Sequence, residues 1–397
     1  MHGTEASAQV APVVDVMEMP GVALRGVTIG PIESSQHPGR GYGSAASEAV
    51  LDELVRLNAN AISITPFGRI WDLSSTHIEP DFEWSFAEAR AGVIALAAAA
   101  KARGMRVLLV PHLWVETGGW RGDMEMGDDA RWRDYQQAYR EFLLRWAAVA
   151  EAAHIDILSI GVECKSWSGR YGDYWTQLIR SVRGHFHGQL TYSANWDEAD
   201  DVLFWEQLDL IGINAFYPLA ERSAASYEQY VEGAQRALSR AGRLSARVKR
   251  PVLFVEFGYT TRTDAAVEPW LWPDSMHDVQ VDELEQARAY AALLGAAASQ
   301  PWIAGVFVWR YYADLDDVSQ EARWGFSPYT KLAEHVMSNV FGVAWESDAP
   351  GMAAWLEPHG RMITPNRLEK YLSSAPPATR RVPSTPGSSG SGLSDKK

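Results

Sequence analysis

Eight times along this chain a short, continuous apolar run is followed by a longer stretch that reads as helix or turn. The predicted strands are Val22–Gly30, Ala61–Pro66, Arg106–His112, Ile157–Glu163, Leu190–Asn195, Leu208–Asn214, Val252–Phe257 and Ala304–Arg310. The predicted helices are Ser47–Asn58, Phe86–Arg103, Arg131–Ala153, Gly172–Phe186, Tyr227–Leu244, Asp282–Ala298 and Tyr329–Val340, with a short turn or helix around Asp200–Trp205. Gly104 stands where a glycine closes a helix. Strands that are apolar throughout, rather than alternating, are buried on both faces, as in parallel sheets. Eight such units can close into a (β/α)8 barrel of the TIM type. The rival α/β architecture, an open doubly wound sheet, should carry a GxGxxG turn after its first strand, and none follows Gly26–Gly30. The expected fold is therefore a (β/α)8 barrel spanning residues 21–372. It is flanked by a loose segment at 1–20 and a tail at 373–397, where Ser, Pro and Gly dominate and too little apolar surface remains to offset ordering entropy.

Composition narrows the partners. Of 397 residues 47% are hydrophobic, enough for a sizeable core. The net charge of −14 disfavours phosphate backbones and anionic lipid, so nucleic acid and membrane surfaces are not expected partners. A neutral polysaccharide meets no such barrier. No apolar run is long enough to span a membrane. The single cysteine, Cys164, excludes an internal disulfide and a cysteine-based zinc site. The N-terminus lacks the basic start and apolar core of a signal peptide, leaving the compartment open between cytoplasmic and secreted with the signal removed. A monomer is expected. The 17 Trp divide between core and flat surfaces suited to sugar rings.

In such a barrel the chemistry sits at the C-terminal ends of the strands. Two carboxylates end buried runs there: Glu163 and Glu256. A charge in that position is costly unless paired or solvated in a cleft, and paired glutamates in a cleft are what glycosidic cleavage requires. Around them the strand ends place His112, Trp114, Trp120, Asn195, Trp196, Asn214, Tyr217 and Trp309 as candidate substrate-binding residues, with Trp309 as the leading sugar platform. Either glutamate could instead be a buried salt-bridge partner. Trp114, Trp120 and Trp196 could be cleft or core. Glu33, Glu116 and Glu198 are rival carboxylates, read as solvated loop residues. His112 lacks the paired spacing of a metal ligand, and Asp314, Asp316 and Asp317 lack the Gly and Glu of a calcium loop, so no metal is expected. No GxSxG, P-loop or kinase motif is present.

Glu at the ends of strands four and seven resembles the signature of the retaining glycosidases of clan A. More narrowly, Pro111–Met124 (PHLWVETGGWRGDM), Ile157–Glu163 (ILSIGVE), Ile213–Pro218 (INAFYP), Pro251–Tyr259 (PVLFVEFGY) and Gly305–Tyr312 (GVFVWRYY) resemble glycoside hydrolase family 113, known for β-1,4-mannanases. The resemblance runs from about Gly21 to Val343. It implies that Glu163 is the acid/base, Glu256 the nucleophile, Tyr217 a hydrogen-bond partner of the nucleophile and Trp309 the floor of the subsite holding the cleaved sugar. Where the clan has Asn before the acid/base this chain has Val162, so either Asn195 or His112 takes over that role or the activity is weakened or altered. The implied activity is retaining, endo-acting hydrolysis of a β-mannan-type polysaccharide without cofactor, the two carboxyls standing about 5–5.5 Å apart. A same-clan hydrolase of another β-glycan, or an idle carbohydrate-binding barrel, are the alternatives.

Overall fold

The structure, a computed structural model, describes residues 23–31, 39–81, 84–271, 279–316 and 324–343. The expected loose N-terminus, Glu33, Asp317 and the Ser/Pro/Gly-rich tail lie outside the described residues. In chain order the elements are β1 (Leu24–Gly30), α1 (Ala45–Arg56), β2 (Ala61–Ile64), β3 (Phe67–Ile70), α2 (Phe86–Ala102), β4 (Arg106–Leu109), β5 (His112–Val115), α3 (Asp129–Ala152) and β6 (Ile157–Val162). They continue with α4 (Lys165–Ser168), α5 (Gly172–Arg183), β7 (Gln189–Asn195), β8 (Ile211–Asn214), α6 (Tyr227–Val248), β9 (Val252–Phe257), α7 (Glu283–Ala298), β10 (Ile303–Tyr312) and α8 (Leu332–Val343).

Eight of the strands close into a parallel barrel in the order β1-β10-β9-β8-β7-β6-β4-β2, with helices between them: a (β/α)8 TIM barrel. The interior is plugged by apolar side chains, including Leu108, Val110, Leu253, Val255 and Phe307. Gly26 admits the Phe307 ring, which a Cβ at that position would strike at 2.2 Å. A second apolar layer joins the outer face of the strands to the helices. The helices start where side chains satisfy their free N–H groups: Ser85 with Glu88 and Ser226 with Gln229 form capping boxes on α2 and α6. Gly104 follows the C-cap of α2 at φ +74°, the left-handed conformation that glycine adopts without cost. No described helix is long and apolar enough to cross a membrane.

One expected strand is divided. Arg106–His112 breaks after Leu109, and His112 opens β5, which pairs with β3 in a separate two-stranded parallel sheet, Phe67 opposite His112. Pro66 and Pro111 stand at the breaks, and a proline has no N–H to give a ladder. The strands nevertheless stay side by side: the Val110 N–H donates to the Ile64 carbonyl at 2.9 Å and the His112 N–H to the Pro66 carbonyl at 2.8 Å. The barrel wall is thereby extended on this side, with His112 buried at its base and Trp114 exposed. Leu208 likewise falls before β8, after a 3-10 turn at Trp205–Gln207.

Candidate active site

Glu163 follows β6 immediately. Its backbone turns through φ +50°, fixed by an N–H bond to the Ser193 carbonyl at 2.8 Å. The residue is 8% exposed and its carboxyl receives three donors from other elements. Trp120 Nε1–H at 2.9 Å and the Arg121 guanidinium at 3.1 Å reach Oε2, and Asn214 Nδ2–H reaches Oε1 at 3.1 Å. Trp120 and Arg121 come from the loop after β5, which reverses at Gly118 and Gly119, both at positive φ.

Glu256, in β9, is 5% exposed and stands in register with Asn214 of β8. Burial pushes its carboxyl up to about 7, against the charges of Arg121 and Arg310 and a hydrogen bond with Asn214, which favour the ionised form. Its Oε1 lies 3.2 Å from His112 Nε2. This contact is not an ion pair: burial, helped by the charges of Arg121 and Arg310, holds the buried imidazole well below its ordinary range and hence neutral. Asn214 and Arg121 thus act on both carboxyls and tie them into one site.

Aromatic rings wall the site. Trp309, near the end of β10, stacks on His112 (centroids 5.9 Å, planes 24° apart), and His112 meets Phe67 at 5.3 Å. The Arg310 guanidinium lies 4.7 Å from the Trp309 ring and donates to the Tyr312 hydroxyl at 2.6 Å. Across the mouth, beyond β7, Trp196 stacks on Trp270 at 5.5 Å. Among the described residues no group of three or more His, Cys, Asp or Glu is arranged to hold a metal ion.

The sequence profile of Glycoside Hydrolase Family 113 matches residues 35–331. The chain belongs to glycoside hydrolase family 113. It is an enzyme, a glycoside hydrolase. Its fold is similar to that of a family 113 β-mannanase from Alicyclobacillus acidocaldarius solved with ManMIm (23% identity, TM-score 0.70, 83% of this chain and 100% of that one). A complex of a family 113 β-1,4-mannanase is similar to the same degree (23%, TM-score 0.68, 81% and 99%). A family 5 mannosidase from Rhizomucor miehei shares the fold more distantly (11%, TM-score 0.57, 85% and 94%). No curated protein sequence matches the chain.

Within this family 113 chain the structure brings together Glu163, Glu256, His112, Trp120, Asn214 and Trp309. Trp114 is 49% exposed on the extended wall, edge-on to Phe67. Trp196 is half-buried between Tyr217 and Trp270. Asn195 turns to Asp197 at 3.1 Å rather than to either glutamate. Tyr217 packs on Phe254 and Trp196, and its hydroxyl makes no hydrogen bond to Glu256. Val162 faces the apolar plug.

Glu198 departs from its reading as a solvated loop residue: it is 1% exposed and bound by Tyr192 and Ser168. Asp314 is likewise buried, paired with Arg40. Arg121, Arg310 and Trp270 complete the surroundings; the two arginines read from sequence as strand-end residues but not as candidate site residues, and Trp270 was not read at all. The adjacency of Arg121 to Trp120, and of Arg310 to Trp309, was the available signal; Trp270 sits in an irregular loop and offered none.

Proposed function

We propose that this glycoside hydrolase is a retaining, endo-acting β-mannanase in which Glu256 attacks the anomeric carbon and Glu163 protonates the departing oxygen. Glu163 then takes a proton from the water that releases the glycosyl-enzyme. The observation that carries the reading is the joining of two buried strand-end carboxyls by Asn214 and Arg121, beneath the Trp309–His112 wall. Trp309 would carry the sugar whose bond is cut, and the Trp196–Trp270 pair, past the mouth, would carry a further sugar of the same chain. The names of the family 113 neighbours make β-1,4-mannan the first substrate to test. A screen of linear polysaccharides with reducing-end detection tests it: release from mannan alone supports the assignment, and release from a β-glucan instead would move the activity to another glycan.

The hydrogen bonds favour a second assignment of roles. Glu163 is held as an acceptor by three donors, whereas Glu256 is the carboxyl that burial keeps protonated, so the nucleophile and the acid could be exchanged. Azide rescue separates the two. With Glu256 as nucleophile, Glu256→Ala plus azide yields an inverted glycosyl azide from an activated aryl glycoside. Glu163→Ala plus azide yields the retained one, because a good leaving group needs no proton. Products of the opposite configuration exchange the roles.

A further inference from the structure

Beneath the turn that bears Glu163 lies a carboxyl for which the proposed reaction has no use. Glu198, in the turn after β7, accepts at Oε1 from the Tyr192 hydroxyl and from Ser168 Oγ at 3.2 Å. The Tyr192 hydroxyl in turn accepts from the backbone N–H of Cys164 at 2.7 Å. Cys164 immediately follows Glu163, and Ser168 ends the short helix α4 that comes next. One buried carboxyl thus holds the segment 163–168 at both ends.

The segment needs holding. Glu163 is a non-glycine residue at φ +50°, a conformation costing on the order of 1–2 kcal/mol that persists only where surrounding structure imposes it. The support is itself rigid. The Tyr192 ring is packed edge-on by Trp175 and Phe204 and tilted against Trp205. Gly161 lets it approach the strand, since a Cβ there would lie 2.9 Å from the ring. Outside this buried pair, Lys165 adds a bridge to Asp197 while lying 5.7 Å from the Trp120 ring, which itself bonds Glu163.

We propose that Glu198 and Tyr192 are positioning residues that fix the 163–168 turn and so aim the Glu163 carboxyl at the glycosidic oxygen. The proposal rests on the reading of Glu163 as proton donor. Burial pushes the Glu198 carboxyl up to about 8, so in neutral solution it serves as an uncharged hydrogen-bonding group and sets no negative charge beside Glu163. Its amide isostere should therefore replace it.

The test compares a substrate that needs the proton with one that does not. Reducing-end release from β-1,4-mannan depends on Glu163; first-turnover release of dinitrophenolate from dinitrophenyl β-mannobioside does not. Tyr192→Phe and Glu198→Leu should lower kcat on mannan by roughly tenfold to a hundredfold, the cost of misplacing a reacting group by about an ångström. KM and the first-turnover rate should be unchanged, and Glu198→Gln should stay near wild type. Equal losses on both substrates, or none, would overturn the proposal. If Tyr192→Phe and Glu198→Leu fail to fold, Ser168→Ala is read by the same ratio, expected to fall in the same direction. Glu163→Ala, run alongside, separates the two levels. If it spares the activated substrate while the positioning variants do not, positioning alone fails. If it acts on both substrates alike, the proton-donor reading fails and takes this proposal with it.

Discussion

The buried carboxyl of Glu256 makes the pH dependence of this enzyme a direct test of its proposed role. A nucleophile must be ionised, and burial keeps this one protonated up to about pH 7. The sign follows. Half of the carboxylate is ionised at pH 7 and about one hundredth at pH 5, so kcat/KM should fall about fiftyfold between them. The assay is kcat/KM for dinitrophenyl β-mannobioside, whose leaving group needs no proton, measured across pH 4 to 9 in buffers of constant ionic strength. This parameter reports the free enzyme, the state to which the burial applies. The perturbation is Arg310→Gln. The Arg310 charge favours the ionised form of Glu256, so its loss should carry the acid limb to higher pH. A profile flat down to pH 5 would refute the reasoning, since Glu256 would then either be ionised despite its burial or not be the nucleophile. A limb that moves to lower pH in Arg310→Gln would refute the electrostatic part alone.

Stability should run the other way. Glu256, Glu198 and Glu334 are all raised by burial, to about 7, 8 and 7 from an ordinary value of 4.5. The folded state therefore binds more protons than the unfolded chain between those limits, and stability is lost as pH rises from about 4.5 to 8. Tm should decline across that window, and Glu256→Gln, which cannot ionise, should melt higher than wild type at pH 8 while matching it at pH 5; a wild-type Tm that climbs from pH 5 to 8 contradicts this. Trp309→Ala should reduce kcat/KM on mannan by about fivefold, the worth of about 1 kcal/mol of ring stacking, with little change in Tm because the ring is only part-buried; a variant that unfolds instead makes Trp309 a core residue. Trp270→Ala, at a ring 48% exposed, should raise KM for long manno-oligosaccharides several-fold and leave dinitrophenyl β-mannobioside untouched, and equal effects on both would remove it from the outer platform.

What was legible in the sequence was what repeats locally. Val252–Phe257 reads as a strand because it is short and five of its six residues are apolar, β-branched or aromatic ones among them, and β9 has those bounds. Glu163 and Glu256 were visible because each interrupts an apolar run at its end. The division of Trp between roles was legible only in kind: Trp132, Trp146, Trp167 and Trp175 are fully buried, whereas Trp71, Trp114 and Trp270 are exposed. Nothing in the spacing separates these sets, because burial of a loop or helix tryptophan depends on which distant element covers it. Glu198 shows the limit most clearly. It sits in the run Asp197–Asp201, which composition reads as a solvated acidic loop. Its burial comes from a Tyr on the preceding strand and a Ser on a helix thirty residues earlier in contact with one oxygen. The Trp309–His112 stack is likewise a product of barrel closure, which places β10 within reach of the start of β5.

Val162 is the point where the chain departs from the clan pattern, and its surroundings make the departure testable. The position before the acid/base holds Asn in the clan. Here the side chain is buried among the apolar residues that plug the barrel, beside a void of only about 10 Å³ walled in part by Pro111, Leu113 and Met124. The amide that touches Glu163 comes instead from Asn214, two strands away in the barrel, whose Oδ1 has no hydrogen-bond partner within the protein. Restoring the clan residue should therefore not restore a function. Val162→Asn would bury an amide among apolar groups at a cost of about 1–3 kcal/mol, enough to lower Tm by a few degrees, and kcat/KM on mannan should not rise. Asn214→Ala, by contrast, removes a donor from Glu163 and a hydrogen bond from Glu256, and should cost activity far more than stability. Thermal melts and mannan kinetics on the two variants decide the matter. A Val162→Asn enzyme that gains activity would show that the site lacks an amide there, and that Asn214 does not supply it.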